Sequence, residues 1–404
     1  MDAAAAPARS RERAPEETVA LLRPHLPALG ITRLADVTGL DRVGIPVFMA
    51  VRPNSRSLAV AQGKGVTREA ARASALMESL EAHHAERPRC PVRIETRAEL
   101  ARQAPVADPE LLPRARGARD GACGDHTCLP WAEARDAVTD EPLWVPYELV
   151  HANATVPRVP GAGSFVCSTN GLASGNTRSE ALLHAVCEVV ERDALALWER
   201  LPVEEQARTR LDLDTVTHPL PRSLLDQFSA AGLSVMVWDM TSDVGLAALR
   251  AVVLDAAAAP SLDRTPAAGG FGCDPDPVTA LVRALTEAAQ SRLTVIAGSR
   301  DDLTRERYRR TQQAAVLIEH RRIAGQSVHV DAAQLPSLTT GTLDGDLGAA
   351  LGRLAAAGFA TVAVVDLSRW EIPAAVVRVI VPGLEGPTES PAYAPGPRAR
   401  AWRP

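Results

Sequence analysis

The chain has 404 residues, 46% of them hydrophobic and 23% charged, so it can bury a large core or form two lobes and has the balance of an ordinary globular protein. A formal charge of −5 supplies no general pull toward nucleic acid or an anionic membrane surface, and no run of about 18 apolar residues is present to span a bilayer. The six cysteines, Cys90, Cys123, Cys128, Cys167, Cys187 and Cys273, form no CxxC pair, so reduced thiols are expected rather than a structural zinc site.

Residues 1–15 are low in complexity and lack the apolar stretch of a secretory signal, so they read as a disordered head on a cytoplasmic protein. "EETVALLRPHLPALGITRLADVTGL" then reads as a helix followed by the start of a strand. "IPVFMAVRP" and "SLAVAQGKG" read as two strands, the second ending in a glycine turn. A helix follows from about Thr67 to His84. Residues 88–145 carry scattered Pro, Gly and short charged pieces, and read as a variable insertion. "LWVPYELVHAN" resumes a strand pattern, and a second helix runs from about Thr177 to Arg200. "LSVMVWDMT" and "LAALRAVVLDA" read as adjacent strands, and "GGFGCDPDP" as a glycine loop before a third long helix. "LGRLAAAGFATVAVVDLS" is helix then strand, and "AAVVRVIVPGL" a final strand. Helices and strands alternate without a repeated unit, which predicts an α/β (α+β) fold. No linker interrupts residues 16–404, so one body is expected there.

Three helices carry acidic stripes. On the first, Ser74, Glu78 and Glu81 fall at i, i+4 and i+7, on one face and among small apolar residues. Two carboxylates on a buried face need a cation or an arginine to offset repulsion and desolvation; taken alone, the spacing favours a solvated face carrying two ordinary glutamates. On the second, Glu180, His184, Glu188 and Glu191 form one stripe, with Arg192 next and Asn176 in the preceding turn. Thr177 and Glu180 also fit a capping box. The third helix has Asp276 as its N-cap and Pro277 at its first position. Its Arg283, Glu287 and Gln290 share a face, where an Arg283–Glu287 surface pair is the simplest reading.

Hard oxygen ligands without a histidine motif suit magnesium, which usually travels with phosphates. Yet "AQGKGV" lacks the Ser or Thr that a P-loop requires after its lysine, and no kinase signature is present. Residue types and spacing thus lead to a magnesium–phosphate site of an unfamiliar type and no further.

The strings "DVTGLDRVGIPVFMAVRP", "GKGVTREAARASALMESLEAHHAE", "GLASGNTRSEALLHAVCEVVERDA" and "FGCDPDPVTALVRALTEAAQSRL" resemble the YcaO family, in that family's order and over most of the chain. The resemblance implies a YcaO-type fold, with mixed sheets and long helices around a non-P-loop ATP site. It implies that Glu78, Glu81, Glu180, Glu188 and Glu191 hold Mg2+, and that Lys64, Ser74, Asn176, Arg192, Arg283 and Glu287 bind ATP. Arg192 and Arg283 would also offset charge during phosphoryl transfer. Ala173 departs from members that have a nucleotide-binding serine there.

The resemblance implies a reaction on a backbone amide of a peptide. The tail "PGPRARAWRP" lacks the alternating prolines of azoline-forming members. "VPGLEGP" and "YAPGPRARAW" are closer to the branch that works with a TfuA partner in thioamidation. Thioamide formation on a ribosomally synthesised precursor peptide is therefore the leading reading. An azoline-forming cyclodehydratase acting on Cys, Ser or Thr is the alternative, and a non-catalytic nucleotide-binding accessory protein a second one. The resemblance also implies a TfuA-like or leader-peptide-binding partner and a homodimer.

Overall fold

A computed structural model describes residues 11–118, 123–158, 162–255, 267–302 and 327–402. Of the head expected to be disordered, residues 1–10 lie outside that range. In chain order the first elements are α1 (Pro15–Leu22), β1 (Arg33–Asp36), β2 (Val47–Val51), β3 (Val60–Lys64) and α2 (Arg68–Ala85). β4 (Val92–Thr96), α3 (Arg97–Leu100), β5 (Cys128–Asp136), β6 (Pro142–Pro146), β7 (Leu172–Gly175) and α4 (Arg178–Trp198) follow. Then come α5 (Val203–Arg208), β8 (Leu211–Asp212), α6 (Pro219–Ala230), β9 (Leu233–Asp239), β10 (Ala247–Asp255), β11 (Ala267–Asp274) and α7 (Pro277–Ala297). The last are β12 (Val330–Asp331), α8 (Leu343–Ala356), β13 (Ala363–Asp366), β14 (Ala375–Ile380) and α9 (Pro397–Ala401). The fold is mixed α/β, as the alternation of patterns predicts.

These elements fall into two compact units. One comprises Met1–Ser79, Leu201–Thr241 and Gly245–Gly341; the other comprises Leu80–Arg200, Ser242–Val244 and Thr342–Pro404. In the first unit β1, β2 and β3 form an antiparallel sheet, and β9, β10 and β11 form another, with β10 in the middle. Helix α7 packs on β11 and β10, closing a core that includes Phe228, Leu249, Val253 and Leu285. Asp276 caps α7 by accepting from the Val278 and Thr279 N–H groups, and Gly298 ends it in a left-handed conformation.

The stretch read as a glycine loop is strand β11. Gly270 and Gly272 pair with Ala251 and Leu249 of β10. A Cβ at Gly270 would lie 2.2 Å from the Ala284 carbonyl oxygen of α7, so glycine is what lets strand and helix backbones touch. Its poor strand propensity conceals the strand from a propensity reading. Helix α6, with His218 as N-cap and Pro219 at its first position, is an element the pattern reading missed.

The second unit is built on a six-stranded antiparallel sheet ordered β4-β5-β13-β14-β7, with β6 paired to β5. Segment 88–145 supplies β4, β5 and most of β6, so it contributes strands rather than surface loop alone. Helix α4 packs on β7 and β14, and α8 packs on α4. Sixteen of the 21 residues of α4 are buried, which explains its nearly unbroken apolar run between acidic positions.

Candidate functional site

The acidic residues of the first unit gather where β3, α2, β11 and α7 meet. A Cβ at Gly63 of β3 would lie 2.0 Å from the Ala75 nitrogen, so strand and helix are in backbone contact, and Ala71 and Ala75 are fully buried. Lys64 follows Gly63, and its Nζ donates to Glu287 Oε2 of α7. The Phe271 N–H donates to the other Glu287 oxygen at 3.2 Å. Gln290, one turn further along α7, donates to the Gln62 carbonyl at 2.7 Å, fixing α7 against β3. Arg283 lies 3.8 Å from Asp274 Oδ2. The structure thus gives Glu287 a lysine partner and Arg283 an aspartate, where the simplest sequence reading joined the two to each other.

Glu78 presents its side chain to solvent, yet its carboxyl pKa is raised. Desolvation by surrounding protein is the main cause and Glu287 adds to it, while Lys64, a Gln62 backbone hydrogen bond and Arg300 oppose it. Ser74 sits half-buried one turn earlier on α2. Arg300, whose Nε and Nη2 hold Asp302 at 2.8 and 2.6 Å, escaped the sequence reading. It lies beyond the end of α7, where helical periodicity carries no signal.

In the second unit, Glu81 Oε1 accepts from the Ser174 N–H at 2.8 Å and from its hydroxyl at 2.7 Å. Ser174 is almost fully buried and was also missed; it adjoins Ala173, the position singled out for its lack of a hydroxyl. Glu180 Oε2 accepts from the Asn176 backbone N–H at 2.7 Å and from its side-chain amide at 3.0 Å. The Glu180 N–H donates to Thr177 Oγ1 at 3.3 Å. The capping box therefore forms with its return arm one residue early, on Asn176 instead of Thr177. A Cβ at Gly175 would come within 2.5 Å of the Ala181 nitrogen, so glycine lets the end of β7 touch the start of α4 and brings Asn176 to Glu180.

Further along α4, Glu191 is buried and Glu188 half-buried. Arg192 approaches Glu191 at 3.8 Å and pairs with Glu389. His184 lies one turn before Glu188 on the same helix, half-buried.

Both clusters carry carboxylates beside amide or hydroxyl groups, the donor set that a hard cation takes, and the first adds Lys64, Arg283 and Arg300. Among the described residues, no group of three or more His, Cys, Asp or Glu side chains is arranged to hold a metal ion by itself. Magnesium does not need one: it is commonly bound by one or two carboxylates, with water and substrate phosphates completing its octahedron. The raised pKa of Glu78 and the burial of Glu180 and Glu191 are what carboxylates show when an added cation would relieve them. The residues fit the group.

A family model described as "YcaO cyclodehydratase", ATP- and Mg2+-binding, matches residues 62–385. The chain belongs to the YcaO family. ATP and Mg2+ are the ligands by which that family is described. A Rhizobium leguminosarum bv. trifolii protein described by its position in the tfuA 3' region is 38% identical over 374 residues, covering 92% of this chain and 87% of that protein. The structure of YcaO from Methanopyrus kandleri bound with AMPPCP and Mg2+ is 27% identical, with a TM-score of 0.70 over 93% of this chain and 92% of that one. A heterocyclase in complex with substrate and cofactor shares the fold, with a TM-score of 0.75 at 24% identity; it covers 93% of this chain, which spans 53% of the heterocyclase. Among the described residues no helix of this YcaO protein is long and apolar enough to cross a membrane.

Proposed function

We propose that this YcaO protein uses ATP and Mg2+ to convert a backbone amide of a precursor peptide into a thioamide, with a TfuA-like partner and a source of hydrosulfide. The observation that carries the choice of product is the relative that lies in the tfuA 3' region and matches nearly the whole chain. A homodimer is part of the same proposal.

The chemistry follows from the amide. Its oxygen is a poor leaving group, and phosphorylation makes it a good one. Hydrosulfide adds to the carbonyl carbon, forming a C–S bond and an oxyanion. The oxyanion attacks the γ-phosphate of ATP, and ADP leaves. The C–O bond then breaks, inorganic phosphate departs with the former amide oxygen, and the proton on sulfur is lost to solvent. Amide, hydrosulfide and ATP thus give thioamide, ADP and phosphate.

Each acidic cluster is proposed to serve magnesium and nucleotide phosphate. Lys64, Ser74, Arg283 and Glu287, with Glu78 as a metal ligand, do so in the first unit. Asn176 and Arg192, with Glu81, Glu180, Glu188 and Glu191 as metal ligands, do so in the second. Magnesium, when bound, offsets phosphate charge. Arg192 and Arg283 offset the charge that grows on the transferring group. Ser174 and Asn176 orient carboxylates without neutralising them, which supports their use as supports for metal ligands.

A second reading, azoline formation by a neighbouring Cys, Ser or Thr side chain, is favoured by the word cyclodehydratase in the family description. One experiment separates the two. Purified protein is incubated with precursor peptide, TfuA-like partner, sulfide and Mg2+-ATP; phosphate release is followed and the peptide is weighed intact. Oxygen exchanged for sulfur supports the thioamide. Loss of one water overturns it in favour of the azoline, and nucleotide binding with unchanged peptide mass points to an accessory role.

A further inference from the structure

Strand β14 carries a charge in an otherwise apolar run, Arg378, and only 1% of that residue is exposed. Its Nε donates to the Leu149 carbonyl at 2.7 Å and its Nη2 to the Ser168 carbonyl. Its Nη1 is buried with no hydrogen-bond partner. Arg378 lines a cavity of about 30 Å3 in the second unit, with Asn170, Val166, Val189, Ile380 and Leu384 among its other walls. The Asn170 side-chain oxygen is likewise buried and unpartnered.

A guanidinium taken out of water normally meets a carboxylate in contact. This one meets only neutral carbonyls. Burial lowers its pKa to about 10 against the opposing influence of Cys167 and Glu188, so it stays cationic at neutral pH. Water would partner each orphaned atom but add no charge to that of Glu188, which already acts on the guanidinium. Sulfate, phosphate and carboxylates exceed a space with room for one or two water-sized atoms.

The geometry points to a binding site for one small monovalent anion at Arg378 and Asn170, and under the function proposed above, on which this identification rests, the anion is hydrosulfide. Hydrosulfide accepts from Nη1 and donates its S–H to the Asn170 oxygen. Were the Asn170 amide turned over, its nitrogen would donate to the same anion. A large, weakly hydrated sulfur loses less than hydroxide would against the valine, isoleucine and leucine walls. Val189, which lines the cavity, follows Glu188 on α4, so the nucleophile would be held beside a proposed metal ligand.

The test measures thioamide formation by the full chain, with peptide, partner and Mg2+-ATP, as sulfide is varied. Arg378→Gln removes the charge and Asn170→Leu fills the cavity. The sulfide KM should rise about tenfold in each, as for loss of a charge-assisted hydrogen bond, while the ATP KM stays within about twofold. A second measurement uses the protein alone, so Asn170→Leu also serves if Arg378→Gln fails to fold. At equal ionic strength, sodium hydrosulfide and sodium chloride should raise the melting temperature above that in sodium gluconate for the wild type and for neither variant. A sulfide KM unchanged in both variants, or no difference between small anions and gluconate, would overturn the site and leave water as its occupant. A peptide that loses water instead of gaining sulfur would overturn the thioamide reading and hydrosulfide with it, whereas the chloride measurement tests the anion site independently.

Discussion

In the first unit Glu287 and Glu78 lie by cations, and in the second Glu81 and Glu180 accept from neutral donors. Glu287 meets the Lys64 ammonium, and Glu78 feels both Lys64 and Arg300. Glu81 is held by the Ser174 amide and hydroxyl, and Glu180 by the Asn176 backbone and side-chain amides. A cation in contact cancels charge; an N–H or O–H fixes direction and leaves the charge in place for a metal. Cations are present in the second unit too: Arg192 pairs with Glu389 and lies 3.8 Å from Glu191, and Arg398 holds Asp193 at 2.9 Å. The difference teaches that similar acidic spacing is given different surroundings in the two units. The first sets Glu287 and Glu78 near a lysine, and the second directs Glu81 and Glu180 through neutral donors.

The largest effect expected from this contrast is on Glu191. Glu191→Gln keeps the shape and removes the charge, so ATP turnover should fall by about 10³-fold, the size of several kcal/mol of lost charge stabilisation, with the melting temperature nearly unchanged. Thermal unfolding and phosphate release check this together. A collapse in stability would make Glu191 a structural ion-pair partner and dissolve the contrast.

Ser174→Ala sharpens the comparison at its next level. Glu81 keeps the backbone N–H and loses the hydroxyl, so the Mg2+ concentration for half-maximal turnover should rise about 10–100-fold, as for other groups that orient a metal ligand. An unchanged Mg2+ dependence would mean that orientation by neutral donors has no bearing on metal.

Lys64→Met tests the first unit. The lysine and Glu287 side chains are about a quarter exposed, so the pair should contribute no more than about 1 kcal/mol to stability. The ATP KM should rise by roughly tenfold, the worth of one charged contact. A large loss of stability with an unaltered ATP KM would recast Lys64 as structural.

The smallest effect is thermal. The Glu78 carboxyl titrates above its ordinary range in the folded protein, so its contribution favours folding at low pH and is lost as pH rises through that raised pKa. Glu78→Gln should therefore melt slightly higher than wild type at neutral pH in the absence of ligands. The advantage should vanish in acid, where wild-type Glu78 is protonated. Melting curves across pH check both halves; a variant less stable at neutral pH would show that Lys64 and Arg300 outweigh desolvation.

Much of this molecule is legible in one dimension because the signals are local. Asp276 followed by Pro277 marks the start of α7, and the i, i+4 spacing places Glu78, Glu180, Glu188, Arg283 and Glu287 on long helices. The family strings carry ATP and Mg2+ with them. Strand β11 is not legible this way, because its glycines are chosen for contact with α7 rather than for strand propensity.

What the sequence by itself determined is therefore the long helices α2, α4 and α7, their acidic faces and the family. The tertiary structure alone decided the partners. Ser174 and Glu81 are 93 positions apart, and Lys64 and Glu287 are 223 apart, so no periodicity relates them. Arg378 shows in the sequence only as a lone charge in an apolar strand. That its guanidinium meets two carbonyls, with one nitrogen left over a small cavity, follows from packing, because hydrogen-bond partners are set by distance in space and not by separation along the chain.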